Sequence, residues 1–143
     1  MDWYAGSNGV KATAIMPKGS ELILVDSSGW IEFLGDGPRA DRFAPYFEQE
    51  ERLLIPAIVL YEVYKKLLSA QGSTVADRFL SAAMRARFVP IDERLALAAA
   101  QISLDRHLAM ADAMIYASAL AAAARLVTAD THFQGLPGAT VIG

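Results

Sequence analysis

The amino-acid sequence predicts a single three-layer α/β domain, with a central, mostly parallel sheet of four to five strands flanked by helices. Three observations carry this expectation. The chain has 143 residues, the size of one domain with one full hydrophobic core. Short apolar runs alternate with stretches of helical period, and strands that alternate with helices imply parallel pairing covered on both faces. No internal repeat, low-complexity tract or linker divides residues 20–143.

The first run, Glu21-Leu22-Ile23-Leu24-Val25, stops at Asp26-Ser27-Ser28-Gly29, where capping residues abound, and reads as a buried strand feeding a helix. Trp30, Ile31, Phe33 and Leu34 give a short apolar helical turn, closed by Gly35-Asp36-Gly37-Pro38. A polar-faced helix is expected over 41–52. Leu53-Leu54-Ile55 is a second buried strand, and Pro56 suits the first turn of the next helix, where its missing N–H would have no partner anyway. In that helix, running to about Ala70, Val59, Leu60, Val63, Leu67 and Leu68 follow the 3.6-residue period, with Gly72 as the stop.

Ser73 is expected to cap a further helix reaching Ala86. Phe88-Val89 reads as a short third strand leading through Pro90 and Ile91 to Asp92, the expected cap of a helix from Glu93 to about His107. Another helix spans Met110 to Ala124. Leu126-Val127-Thr128 forms a fourth strand, again followed by an aspartate, and Thr140-Val141-Ile142 a fifth. Residues 1–19, rich in Gly, Ser, Asn and Pro, read as a poorly ordered extension outside the domain, native or vector-derived, with Met16 as a candidate start. They lack the basic start and sustained apolar core of a secretory signal.

Composition narrows the function classes. A net charge of −3 and a pI near 5.3 mean that the chain as a whole does not attract phosphate backbones, so any nucleic-acid contact is local or metal-mediated. The absence of cysteine excludes disulfides, thiolate zinc sites and a cysteine nucleophile, and fits a reducing cytoplasm. The longest apolar stretch, Ala113 to Ala124, falls well short of the ~20 residues that a membrane-spanning helix needs. A hydrophobic share of 54%, slightly above the usual, fits an apolar partner surface.

Four acids stand out by position. Asp26 and Asp130 follow apolar strands, while Glu62 and Asp112 lie in the first turns of expected helices. In a parallel sheet those places meet near the strand carboxyl ends, where open α/β sheets bind ligands. Singly, each has a structural use: Asp26 or Asp130 as an N-cap, Asp112 as a complement to the helix dipole, Glu62 as an i,i+4 partner of Lys66. Together they repel, by about 4 kcal/mol per pair at about 4 Å and an effective dielectric of about 20, and a dication removes that repulsion. Carboxylates suit Mg²⁺ or Mn²⁺, whereas zinc draws on histidine or cysteine. His107 and His132 read as surface or capping residues, and Asp36, Asp92 and Asp105 as turn, cap and helix surface. The pairs Lys65 with Lys66 and Arg85 with Arg87 read as solvated charge, with phosphate contact as the alternative.

The motifs Val25-Asp26-Ser27-Ser28, Pro56 six positions before Glu62, Ala111-Asp112-Ala113-Met114-Ile115 and Val127-Thr128-Ala129-Asp130 resemble, in order and context, those of a PIN domain. Within that superfamily the chain is most similar to the VapC-type toxin ribonucleases of prokaryotic toxin–antitoxin pairs, over residues 20–143. The resemblance implies that Asp26, Glu62, Asp112 and Asp130 form an acidic Mg²⁺ or Mn²⁺ site, with Ser28 and Thr128 orienting carboxylates or waters. It implies a cytoplasmic, metal-dependent endoribonuclease acting on RNA, a homodimer, and a cognate antitoxin whose cationic segment fills the acidic groove. Ser27 stands where such motifs frequently carry threonine.

The residues leave open a protein of this fold that binds RNA or antitoxin without cutting, a stand-alone RNA-processing nuclease, and a pocket that cuts DNA. They argue against a phosphoreceiver domain, because Val25 rather than an acid precedes Asp26 and no lysine follows Arg125. A haloacid-dehalogenase-type phosphatase would need an aspartate where Ser28 stands.

Overall fold

Parallel strands inside an α/β domain have both faces covered, so they read as continuous apolar runs, and the two central runs here behave that way. In the computed structural model, which describes residues 21–143, the strands are β1 (Ile23–Val25), β2 (Leu53–Pro56), β3 (Arg87–Val89), β4 (Arg125–Thr128) and β5 (Ala139–Val141). The helices are α1 (Ser27–Leu34), α2 (Ala40–Phe47), α3 (Ala57–Gln71), α4 (Ser73–Ala83), α5 (Glu93–Arg106) and α6 (Met110–Ala122). The expectation for residues 1–19 lies outside the described residues.

The five strands form one sheet in the order β3-β2-β1-β4-β5, and every pair is parallel rather than mostly so. Leu24 pairs with Leu54 on one side and Leu126 on the other, which seats β1 in the middle. The chain winds outward from β1 to β3, then returns past β1 to build β4 and β5. The order therefore reverses between β1 and β4, and a crevice opens at their carboxyl ends. Asp26 directly follows β1, and its N–H donates to Val127 O of β4 at 3.1 Å, so both strand ends meet at this point.

Several element ends differ from expectation for local reasons. The helix expected over 41–52 stops at Phe47, and a separate 3₁₀ turn, Glu50–Arg52, follows. Pro45 inside α2 lacks the N–H that would continue the ladder. Helix α4 ends at Ala83 instead of Ala86, because Arg85 and Ala86 tighten to i−3 bonds with Ala82 and Ala83. Its N-cap is Gly72, at φ +86°, and Ser73 is the first helical residue, making no side-chain cap. Helix α6 ends two residues before Ala124: Ala123 takes a left-handed conformation and Ala124 N–H donates to Ala119 O at 2.8 Å, the closing bond of a Schellman turn. Asp92 caps α5 as expected, accepting from Leu95 N–H at 2.9 Å, and His107 is that helix's left-handed C-cap.

Leu68, expected in the core stripe, is 42% exposed, and Phe88 of the edge strand β3 is 55% exposed. Val59, Val63 and Leu67 alone carry the buried face of α3.

The start of α1 is packed tightly. A Cβ on Gly29 would lie 2.4 Å from Val25 Cγ1 and 2.7 Å from Phe43 Cε1. Replacing a helical glycine by alanine ordinarily stabilises by ~1 kcal/mol. Here overpacking reverses the sign, and Gly29→Ala is expected to destabilise by about 1–3 kcal/mol in urea unfolding. An unchanged or higher midpoint would mean that Phe43 moves aside freely.

Candidate metal and active site

The crevice at the β1 and β4 ends is a cleft of about 560 Å³, lined by Asp26, Glu62, Asp112 and Asp130 together with Ser27 and Ser28. Tyr61, Lys65 and Lys66 of α3 also line it. All four acids singled out from the sequence thus face one cavity.

Asp26 sits at its floor and is almost fully buried. Its Oδ1 accepts from Ser28 Oγ at 2.6 Å and from Gly29 N–H at 3.2 Å, and its Oδ2 accepts from Thr128 Oγ1 at 2.7 Å. N-cap and cleft residue are therefore one role, not two alternatives. The two hydroxyls are themselves held by the backbone beyond β4: Ala129 N–H donates to Ser28 Oγ at 2.9 Å and Asp130 N–H to Thr128 Oγ1 at 2.8 Å. This relay fixes both carboxylate oxygens and fills three of about four acceptor positions on the carboxylate. One position on Oδ2 remains for a ligand in the cleft.

Burial pushes the Asp26 carboxyl from its ordinary value of 3.8 up to about 6, against the opposing pull of the Ser28, Thr128 and Gly29 hydrogen bonds, with Asp130 adding repulsion. Asp112, on the first turn of α6, is also raised, by burial first and then by the charge of Asp130, while the His132 contact lowers it. The two aspartates thus feel the same neighbour, Asp130, as an unfavourable charge. Crowded carboxylates with a free acceptor position are a donor set that a hard divalent cation fits.

Asp130 caps the 3₁₀ turn Thr131–Phe133 by accepting from His132 N–H at 2.8 Å. Glu62, in the second turn of α3, accepts from the Ser27 hydroxyl at the start of α1 rather than pairing with Lys66. Among the described residues, the set of potential ligand atoms that lie within 4.8 Å of one another belongs to Asp112, Asp130 and His132. His132 is on the surface, as expected, but its Nδ1 stands 3.3 Å from Asp112 Oδ2 and 3.4 Å from Asp130 Oδ1, so it adjoins the site.

The family model of the PIN domain matches residues 23–139, from β1 to the first residue of β5. The chain belongs to the PIN domain family. No curated protein matches it by sequence. In structure this PIN domain is similar to a chain of a toxin–antitoxin complex from Klebsiella pneumoniae, with a TM-score of 0.71 and 23% identity, covering 83% of this chain and 96% of that one. It is similar to Mycobacterium tuberculosis VapC20, described as a sarcin–ricin loop cleaving toxin, with a TM-score of 0.66 and 17% identity over 80% of this chain and 95% of the other. DNA-bound VapBC from Salmonella typhimurium gives 0.63 and 19% over 85% and 97%. At such identities the likeness concerns the fold.

Sequence reasoning passed over the contacts of two residues, Ser27 in this PIN domain's cleft and His132 beside it. Ser27 reads as one more capping hydroxyl beside Asp26, and its contact with Glu62 depends on how α1 packs against α3, 35 positions apart. For His132 the available signal is its spacing, two residues after Asp130, which follows β4.

Proposed function

We propose that this PIN domain is a metal-dependent endoribonuclease and the toxin of a toxin–antitoxin pair. The observation that carries the reading is the convergence of Asp26, Glu62, Asp112 and Asp130 on one cleft at the sheet's reversal point. Structural likeness to toxins of such pairs, one of them described as cleaving RNA, supports the choice of substrate and role.

In this reading the four acids hold Mg²⁺ or Mn²⁺, and a bound divalent cation supplies Lewis acidity to water and to the phosphodiester. The protein's own contribution is preorganisation. Ser28 and Thr128 lock Asp26, Ser27 aims Glu62, and the capped turn fixes Asp130. Lys65 and Lys66 offer positive charge beside an acidic floor, where an RNA backbone needs it in an otherwise anionic protein. Thr128→Val removes the donor to Asp26 and the acceptor for Asp130 N–H, so the affinity for Mn²⁺ should fall about 10–100-fold in calorimetric titration. Unchanged affinity would mean that Asp26 needs no such support.

The antitoxin belongs to the same proposal. An apolar groove lined by Ala57, Leu60, Tyr64, Leu68 and Leu80 runs along α3 and α4 and shares Tyr61, Lys65 and Ser69 with the acidic cleft. A partner with an apolar helix followed by a cationic segment would fill both at once. Leu97 and Leu104, one face of α5 and both exposed, together with Met110, supply the apolar surface for a homodimer. No helix among the described residues is long and apolar enough to cross a membrane.

The test is incubation of the purified protein with structured RNAs and with single-stranded DNA, in the presence of Mg²⁺ or Mn²⁺. RNA should be cut at internal positions, and a chelator should stop the reaction. Cleavage indifferent to chelation, or confined to DNA, would contradict the proposal.

A further inference from the structure

We propose that His132 is a ligand of the divalent cation through Nδ1, and that this nitrogen biases the site toward Mn²⁺ over Mg²⁺. The inference rests on the metal-site reading above and specifies its chemistry.

The geometry of the ring carries it. Nδ1 is 3.3 Å from Asp112 Oδ2 and 3.4 Å from Asp130 Oδ1, nearly equidistant from two carboxylates on different elements. A histidine acting only as a hydrogen-bond donor would close on one oxygen, and charge-assisted bonds of that kind run to about 2.7–2.9 Å. Here the ring makes one long hydrogen bond to Asp112 at 3.3 Å and stands almost as near Asp130, so it is shared between them. Ligands that sit at about 2.1 Å from one octahedral ion are roughly 3.0 Å apart when adjacent and 4.2 Å apart when opposite. The two distances from Nδ1 are close to the spacing of adjacent ligands, and the three ligand atoms all lie within 4.8 Å of one another.

The chain also holds the ring in place. Asp130 accepts from His132 N–H at 2.8 Å, which closes the 3₁₀ turn, and Phe133, the next residue, is fully buried and anchors it. The His132 side chain is 73% exposed, so turning Nδ1 onto an ion disturbs no core packing. Burial is left to Asp26 and orientation to the turn, while His132 supplies the one nitrogen.

That nitrogen changes the selectivity expected of four carboxylates. Mg²⁺ is held by oxygen and gives up water reluctantly, whereas imidazole suits the transition metals, and Mn²⁺ accepts both donor types. An all-carboxylate pocket discriminates little between the two ions. One imidazole tilts the balance toward Mn²⁺.

The experiment uses the full chain and reads binding, not cleavage. Pulsed electron paramagnetic resonance of the Mn²⁺-loaded protein should show modulation from a directly bound nitrogen, and His132→Ala should abolish it. The same substitution should weaken Mn²⁺ binding by at least about tenfold in calorimetric titration while changing Mg²⁺ binding less than about twofold. His132→Asp, which returns an oxygen donor, should restore Mn²⁺ binding in part, without the nitrogen signal and without the preference. Bound Mn²⁺ lacking nitrogen modulation, or equal losses for both ions in His132→Ala, would place the ring outside the coordination sphere and overturn the proposal while the carboxylate site stood. A wild-type protein that takes up no divalent cation would overturn both.

Discussion

Asp26→Asn is expected to lower RNA cleavage by at least about a hundredfold and, at the same time, to stabilise the metal-free protein near neutral pH. The loss follows from position. Losing a residue that merely supports a metal ligand costs about 10–100-fold, and in the proposed site Asp26, which lines the cleft, is a ligand itself.

The gain follows from burial. The Asp26 carboxyl is raised from 3.8 to about 6, so the folded protein holds this proton more tightly than the unfolded chain does. Its favourable contribution is complete below the unfolded value and is lost as the pH rises through about 6. At neutral pH the metal-free protein therefore carries a buried charge at a cost on the order of 3 kcal/mol. Asparagine removes that charge, but its amide meets the Thr128 hydroxyl donor to donor, so about 1–2 kcal/mol should be recovered. Urea unfolding with chelator present, at acid and neutral pH, reads the stability, and the cleavage assay reads the function. A variant that cuts RNA as fast as the parent, or one that loses stability at neutral pH, would contradict this account of Asp26. The same shift predicts that divalent-ion affinity falls steeply as the pH drops through about 6, because protons then compete for this carboxylate.

Phe133→Ala carries the largest expected loss of stability, about 3–5 kcal/mol, because a fully buried aromatic ring is removed and the cavity it leaves closes only in part. The residue also ties the core to the chemistry: it ends the turn that begins at Asp130 and contains His132. If the variant folds at low temperature, it should therefore bind Mn²⁺ more weakly than the parent, although Phe133 does not line the cleft. Thermal unfolding with and without Mn²⁺ separates the two effects. A loss below about 1 kcal/mol would mean that the turn is held by its hydrogen bonds alone.

The parts of this fold that could be read from the sequence are those where one physical requirement decides. Leu53-Leu54-Ile55 and Leu126-Val127 are buried on both faces, and such strand centres have to be continuously apolar. Asp26, Glu62, Asp112 and Asp130 could be chosen together because a parallel sheet brings strand ends and helix starts to one edge, whatever the intervening loops do. The misses arise where packing decides between locally equal options. Ser73 and Gly72 both suit a helix start, and the left-handed φ at Gly72 selects glycine. Ala123 ends α6 without the glycine or asparagine that usually marks such a cap. Leu68 keeps the helical period of α3 but faces the groove that α3 forms with α4, and Phe88 lies on the edge strand. His132 carries only its spacing from Asp130 as a local mark, because its other partner, Asp112, reaches it from α6.

The central claim is that four carboxylates share one divalent cation, and anomalous scattering from crystals of the protein grown with Mn²⁺ tests it most directly. The account predicts a peak inside the cleft between Asp26, Glu62, Asp112 and Asp130, lost in the Asp26→Asn protein. A peak held by residues elsewhere, or a cleft that stays without Mn²⁺ when the ion is saturating, would contradict it.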